Sequence, residues 1–449
     1  MDLLPPPMSG TVLRVLSTSD LGAATLPLRA SYGEGGTCAG VVALLERERE
    51  RVPAIWLDLG DFVVGHPSFP VRGVRPWEEV ADLPIAAAAV GNHEFDDGME
   101  AMHAGVARLG FPVLCANVDV GLDPCALVST DGGPVGVIGL THPRVDRFSH
   151  APATVSDVPE RVAALTEALR RDGARWVVVL LHDGVEWWPE GEGIGTRADR
   201  LDGVAAPWAR HVDLILCGHN FGGWTGVLAG TPAAEPHLFA GSVAICDLMP
   251  DGAVVRGVYR VPGVRPAAPS AARDVVEAAA ARVVAELPAQ WATRSRAPHY
   301  LPDLLADALR RATGAGAGLI VPNYHGIQAP LDGVLAALGP GPVTELDLLR
   351  LFGSSGMDPV VVELGPGELE AAAAAQWLLA DPANPGGDAL PDNWCRMPLG
   401  LSAGTHSSGT VAIIPSAVPR LSEWVGREVD AEPAGVEVRS AVASVLAGA

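Results

Sequence analysis

Lysine is missing altogether from this 449-residue chain: all 31 basic residues are arginine, set against 53 acidic ones, for a formal net charge of -22. Without lysine there is no Schiff-base chemistry, no pyridoxal phosphate enzyme and no P-loop lysine. A strongly acidic balance also argues against a surface that coats nucleic acid, where clustered cations neutralise phosphates. No run reaches the ~20 apolar residues that span a bilayer. The opening MDLLPPPMSG lacks the basic and apolar regions of a secretory signal, and the six cysteines have no C-x-x-C spacing. Reduced thiols and a cytoplasmic location are therefore expected.

What is present fits a globular chain with sizeable cores: 48% hydrophobic and 19% charged residues. At this length two domains are expected. The first 260 residues alternate short apolar runs with amphipathic stretches such as Gly40–Arg51 and Val158–Arg171. VLRVLST leads into Asp20, AIWLDLG into Asp61, and PIAAAAVG into Asn92 and His93. PVGVIGLTH, RWVVVLLH and VDLILCGH end at His142, His182 and His219. This pattern predicts an α/β layered domain whose strands deliver polar side chains to one sheet edge, where ligands gather in such folds. Asp, Asn and neutral His together suit a divalent transition metal of the Mn, Zn or Fe kind.

The Pro/Ala-rich segment VPGVRPAAPS reads as a linker, followed by an Ala-rich helix over Ala271–Glu286. The expected division is 8–262 for the metal-binding domain, 263–290 for linker and connecting helix, and 291–449 for a smaller second domain.

The local strings are sharper than the composition. GD at Gly60–Asp61, GNHEFDDG at Gly91–Gly98, LH at Leu181–His182 and GH at Gly218–His219 occur in a fixed order. That order resembles the calcineurin-like metallophosphoesterases, and most of all their 5′-nucleotidase branch. LLADALRRATGAGAGLIVPN, GPVTELDLLRLFG and DPVVVELGPGELEAA resemble the branch's substrate-binding C-terminal domain. The resemblance implies an N-terminal four-layer α/β/β/α sandwich, a smaller α/β C-terminal domain, and hydrolysis of a nucleotide-like phosphate ester by metal-activated water.

Carried over residue by residue, it implies that Asp61 bridges two metals and that Asn92, His182 and His219 complete one of them. It implies a catalytic dyad of His93 and Asp96. The other metal keeps Asp20, but Gly22 and Phe221 stand where the family has histidines, so one tight metal and at most a weak second are expected. Where the family writes a phosphate-pairing G-G-I-R, this chain has Asn323 through Gln328, and Gln328 cannot supply a bidentate charge. Phe352 matches an aromatic that stacks on the base; Asn323 and Gln328 are the other candidate substrate contacts. Arg294, Arg296, Arg310 and Arg311 are candidates to replace the missing arginine. Trp187, Trp188, His142, His325 and Trp394 are weaker candidates for the pocket. The partner expected is a small nucleotide or nucleoside-like molecule, not nucleic acid or membrane. Two other readings stay open: a degraded homologue serving as a binding or scaffolding protein, and a single-metal enzyme on a non-standard nucleoside-like substrate.

Overall fold

The computed structural model describes residues 4–27, 29–30, 33–34, 36–63, 76–147, 149–190, 193–220, 222–266, 271–292, 299–320, 337–351, 358–365, 367–372, 400–403 and 409–447. Asn323, Gln328, Phe352, Phe221, His325 and Trp394 lie outside the described residues.

The apolar runs form the strands expected of them. In chain order these are β1 (Leu13–Thr18), β2 (Ala54–Asp58), β3 (Ile85–Ala89), β4 (Val113–Leu114), β5 (Cys125–Val128), β6 (Val135–Leu140), β7 (Trp176–Leu181), β8 (Leu214–Cys217), β9 (Trp224–Leu228), β10 (Thr231–Glu235), β11 (Ser242–Met249) and β12 (Gly252–Arg260). They build two six-stranded sheets, ordered β12-β11-β1-β2-β3-β4 and β9-β10-β8-β7-β6-β5. β1 runs parallel to β2, with Leu16 opposite Trp56, and antiparallel to β11. β6, β7 and β8 run parallel in the second sheet.

Side chains alternate across each strand, so a parallel strand buried on both faces is apolar at every position. Val15, Leu57 and Ala89 of the first sheet meet Val178, Leu180 and Leu216 of the second in the core between the sheets. Their neighbours Leu16, Trp56 and Ala88 turn outward against helix α1 (Cys38–Arg49). Val177, Val179 and Ile215 turn outward against helix α2 (Val158–Arg171). The layers are therefore helix, sheet, sheet, helix. Thr37 caps the start of α1 by accepting the Gly40 N–H at 3.1 Å.

The Ala-rich helix is shorter than its composition predicts. It spans Ala271–Ala281, and Val283–Leu287 instead pairs antiparallel with Gly341–Thr344. The consecutive β-branched residues Val283 and Val284 favour the extended form and end the helix. Val276 and Ala279 of this helix pack with Leu26 of the first unit and Leu346 of the second. Arg273 pairs with Glu79 at 3.1 Å. The second unit holds a five-stranded sheet packed against helix Leu301–Thr313; helix Val438–Ala447 packs on that helix and on the strand Val283–Leu287, and the unit has its own apolar core. Among the described residues, no helix is long and apolar enough to cross a membrane.

One charge is buried deep in the first domain. Arg14 on β1 is fully enclosed and pairs with Glu48 at 2.5 Å and Asp247 at 2.8 Å. Burial alone would raise the Asp247 carboxyl, but hydrogen bonds from Arg14 and Arg256 hold it below the ordinary value. A lowered folded-state value means that this contribution is present above about pH 4 and fades as the pH falls through the lowered value. Arg14→Met removes the buried cation between Glu48 and Asp247, leaving them the half-buried Arg51 at 3.3 Å and Arg256 at 2.6 Å, and is expected to cost about 3–5 kcal/mol in urea unfolding at neutral pH.

Candidate metal and phosphoester site

Five strands end at one edge, and each delivers a polar side chain within a few residues. β1 leads to Asp20, β2 to Asp61, β3 to Asn92 and His93, β7 to His182, and β8 to His219. All but His93 are buried. Asp20, Asp61 and His219 lie in the left-handed region, at φ 52°, 58° and 67°. Non-glycine residues adopt that conformation at a cost, and such strain gathers at functional sites. Gly60, at φ 103°, is required next to Asp61, because a Cβ there would sit 2.3 Å from the Gly91 nitrogen.

The carboxylate of Glu94 ties these turns together. It accepts the N–H groups of Asp61 at 2.9 Å, Phe62 at 2.9 Å and Gly91 at 2.8 Å. Burial, and next the charge of Asp61, pushes its carboxyl up to about 7. Asp58 does similar work one turn earlier, accepting from the Thr18 hydroxyl at 2.5 Å and the Gly60 N–H at 2.9 Å. Neither acid stands among the sequence candidates, since their partners are mostly backbone N–H groups of neighbouring turns; the fourth letter of GNHE is the only signal for Glu94. Glu94→Ala orphans three N–H groups and is expected to destabilise the fold by at least about 3 kcal/mol, read as a lower unfolding midpoint.

The site then closes around His182. Its Nδ1 donates to the Leu59 carbonyl at 2.7 Å, which leaves Nε2 facing inward. Nε2 lies 3.1 Å from Asn92 Oδ1 and 3.2 Å from Asp61 Oδ2. A bare lone pair facing two oxygen acceptors is repulsive, so either a second proton or a cation must lie among them. Burial opposes protonation of His182, but Asp61 outweighs it and lifts the group to about 10. The same histidine and His93 hold Asp61 far below the carboxylate range against burial. Asp61, His182 and His219 have ligand atoms within 4.8 Å of one another, the spacing of a cation site. The donor set of carboxylate, amide oxygen and two imidazoles fits a divalent transition ion.

Asp20 sits beside this group. Its Oδ2 accepts the His219 N–H at 3.0 Å and the Ser19 hydroxyl, so it clamps the backbone of a site histidine. Gly22 donates its N–H to the Asp61 carbonyl at 3.0 Å. His93 Nδ1 lies 2.8 Å from Asp96 Oδ2, and the His93 N–H donates to Asp61 Oδ1 at 2.8 Å. Burial lowers the His93 imidazole, but its side chain keeps 36% exposure, and Asp61 and Asp96 together lift it to about 9.

A polar cluster next to His182 joins the candidate His142 to Asp183 and Arg200, which are not among the sequence candidates. Asp183 takes two hydrogen bonds from Arg200, at 2.8 and 2.6 Å, and His142 is buried beside it. In the second unit, Arg310 and Arg311 each pair with Asp307 at 2.7 Å, so these two candidate phosphate arginines are engaged within their own helix, and Arg294 and Arg296 lie outside the described residues. Trp187 and Trp188 lie in a hairpin strand, Glu186–Glu190, that follows His182 closely.

Residues 13–220 match the family model described as calcineurin-like phosphoesterase. This segment is a calcineurin-like phosphoesterase domain. Its layers and ligand-bearing strand ends are the ones described above. Curated relatives of this chain include a 2′,3′-cyclic-nucleotide 2′-phosphodiesterase/3′-nucleotidase of Salmonella typhimurium, 24% identical over 53% of this chain and 43% of that protein. They also include a mouse 5′-nucleotidase, 28% identical over 49% of this chain and 40% of that protein. The chain thus spans less than half the length of these two relatives. A solved 5′-nucleotidase precursor from Thermus thermophilus shares the fold across both units, with a TM-score of 0.68, 20% identity, and 97% and 96% of the two chains covered.

Proposed function

We propose that the chain is a metal-dependent phosphoesterase of the 5′-nucleotidase kind, which hydrolyses a phosphate ester of a nucleotide or modified nucleotide around one tightly held divalent ion. The observation that carries this reading is His182 Nε2 facing Asp61 Oδ2 and Asn92 Oδ1 at 3.2 and 3.1 Å, with its Nδ1 tied to Leu59. Oriented by a backbone carbonyl on one nitrogen, a histidine presents the other as a ligand. Asp61, Asn92, His182 and His219 are the ligands proposed. When bound, a divalent ion supplies Lewis-acid polarisation of the phosphoryl group and eases deprotonation of water.

The chain's own residues do the rest. Asp61 and Asp96 keep a proton on His93, whose Nδ1 donates to Asp96; Nε2 is then the nitrogen that stabilises the transferring phosphoryl group and protonates the leaving oxygen. Glu94 and Asp58 hold the turns so that these groups need no rearrangement on binding. Asp20 Oδ2 accepts the His219 N–H, leaving Oδ1 for an ion, but Gly22 offers no side chain and Phe221 no ligand atom, so a second ion is held weakly at most. The nucleotide class rests on the names of the relatives and on the candidate contacts Asn323, Gln328 and Phe352.

The test is phosphate release from 5′-, 3′- and 2′,3′-cyclic nucleotides before and after chelation. Release that stops with chelator and returns with Mn²⁺ or Zn²⁺ is expected. No release from any nucleotide with either ion present would overturn the reading in favour of a binding protein.

A further inference from the structure

We propose that His142 is a positioning residue for His219, so that the affinity of the site for a divalent ion depends on a buried imidazole that does not itself touch the ion. The inference rests on the metal site proposed above and assigns it a support that lies outside the ligand set.

His219 needs such support. Its backbone is held in the left-handed region at φ 67°, with the N–H taken by Asp20. Its ring lies between two other imidazoles, with centroids 5.2 Å from His182 and 4.8 Å from His142. His182 belongs to the proposed ligand set and is itself oriented by the Leu59 carbonyl. His142 is the neighbour outside that set, and its ring is tilted 48° against His219.

His142 is itself built in from several sides. It is 1% exposed. The residue before it, Thr141, has its N–H and its carbonyl both engaged by the Asn117 side chain, at 2.9 and 2.7 Å. Nδ1 of His142 accepts the Arg144 N–H at 3.0 Å, which places the ring proton of the neutral form on Nε2. Nε2 lies 3.6 Å from Asp183 Oδ1, and Asp183 is fixed by Arg200. With Nδ1 accepting and Nε2 protonated towards a carboxylate, His142 has no lone pair to offer an ion. What it offers is a rigid ring wall.

A wall of this kind limits rotation of the His219 ring about its terminal torsion, which is otherwise broad. Groups that orient a metal-ligating histidine typically change metal affinity by about 10–100-fold when removed. A buried histidine that only fills space would affect stability without that change.

His142→Leu and His142→Phe separate these roles. Both lose the contacts to Arg144 and Asp183, and only the phenylalanine keeps a ring face towards His219. Calorimetric titration of Mn²⁺ into the metal-stripped full chain is expected to show roughly 10–100-fold weaker binding in His142→Leu, with most of that loss recovered in His142→Phe. The unfolding midpoints of the two metal-free variants should fall alike. Equal affinities in the wild-type chain and His142→Leu would overturn the proposal, as would a phenylalanine variant as weak as the leucine one. Should His142→Leu not fold, His142→Met makes the same comparison. A wild-type chain that binds no Mn²⁺ would overturn the metal site itself, and the positioning role with it.

Discussion

Asp61→Asn is expected to abolish tight metal binding and to lower phosphate release by roughly a thousandfold or more. The magnitude follows from the several kcal/mol that a bound ion contributes to a phosphoryl transition state, at about 1.4 kcal/mol per factor of ten. Asp61 is the only carboxylate in the close group with His182 and His219 among the described residues. An amide at this position keeps an acceptor for the His93 N–H, now 2.8 Å from Asp61 Oδ1, so the local turn should persist. What goes is the negative charge that gathers the cation. Metal content and phosphate release measured on the same preparation check this. A variant that keeps both would remove Asp61 from the site.

His93→Ala is the second large effect, and it should separate from the first. Loss of a general acid typically costs about 10²–10⁴-fold in rate. The backbone N–H of residue 93 remains to hold Asp61, and none of the ligands assigned to the ion is removed. Metal binding should therefore be preserved while kcat collapses. A titration adds a sign: in the metal-free chain His93 is raised to about 9, so its proton, followed by NMR, is present at neutral pH and lost as the pH rises through that value. If metal binding falls together with kcat, His93 is a structural support of the cation site, and not the proton donor.

Much of this arrangement is legible in the amino-acid sequence. Strands such as WVVVLL and LILC are apolar at every position because both faces are covered, and the change from apolar to polar marks where each strand ends. That is why Asp61, Asn92, His182 and His219 stand out as a set. Other features cannot be read in one dimension. Glu94 works by gathering N–H groups from two separate turns, 32 and 33 residues away for Phe62 and Asp61. Asp20 keeps its place in sequence, yet its carboxylate faces the backbone of a residue 199 positions on. The left-handed positions at Asp20, Asp61 and His219 are not glycines, so composition does not announce them. Alanine content extends the connecting helix to Glu286, whereas the β-branched pair Val283–Val284 belongs to a strand whose partner, Gly341–Thr344, lies far ahead in the chain.

The loss of lysine matters most at this site. With no ammonium side chains in the chain, and Arg310 and Arg311 tied to Asp307, the positive charge proposed for a phosphate is His93 together with an ion among Asp61, Asn92, His182 and His219. The most direct measurement is an EPR titration that counts Mn²⁺ bound per metal-stripped chain, made alongside phosphate release at each point. One tight equivalent, with release rising in step with its occupancy, is the predicted result. Release in the complete absence of bound metal, or no tight binding at any concentration, would contradict it.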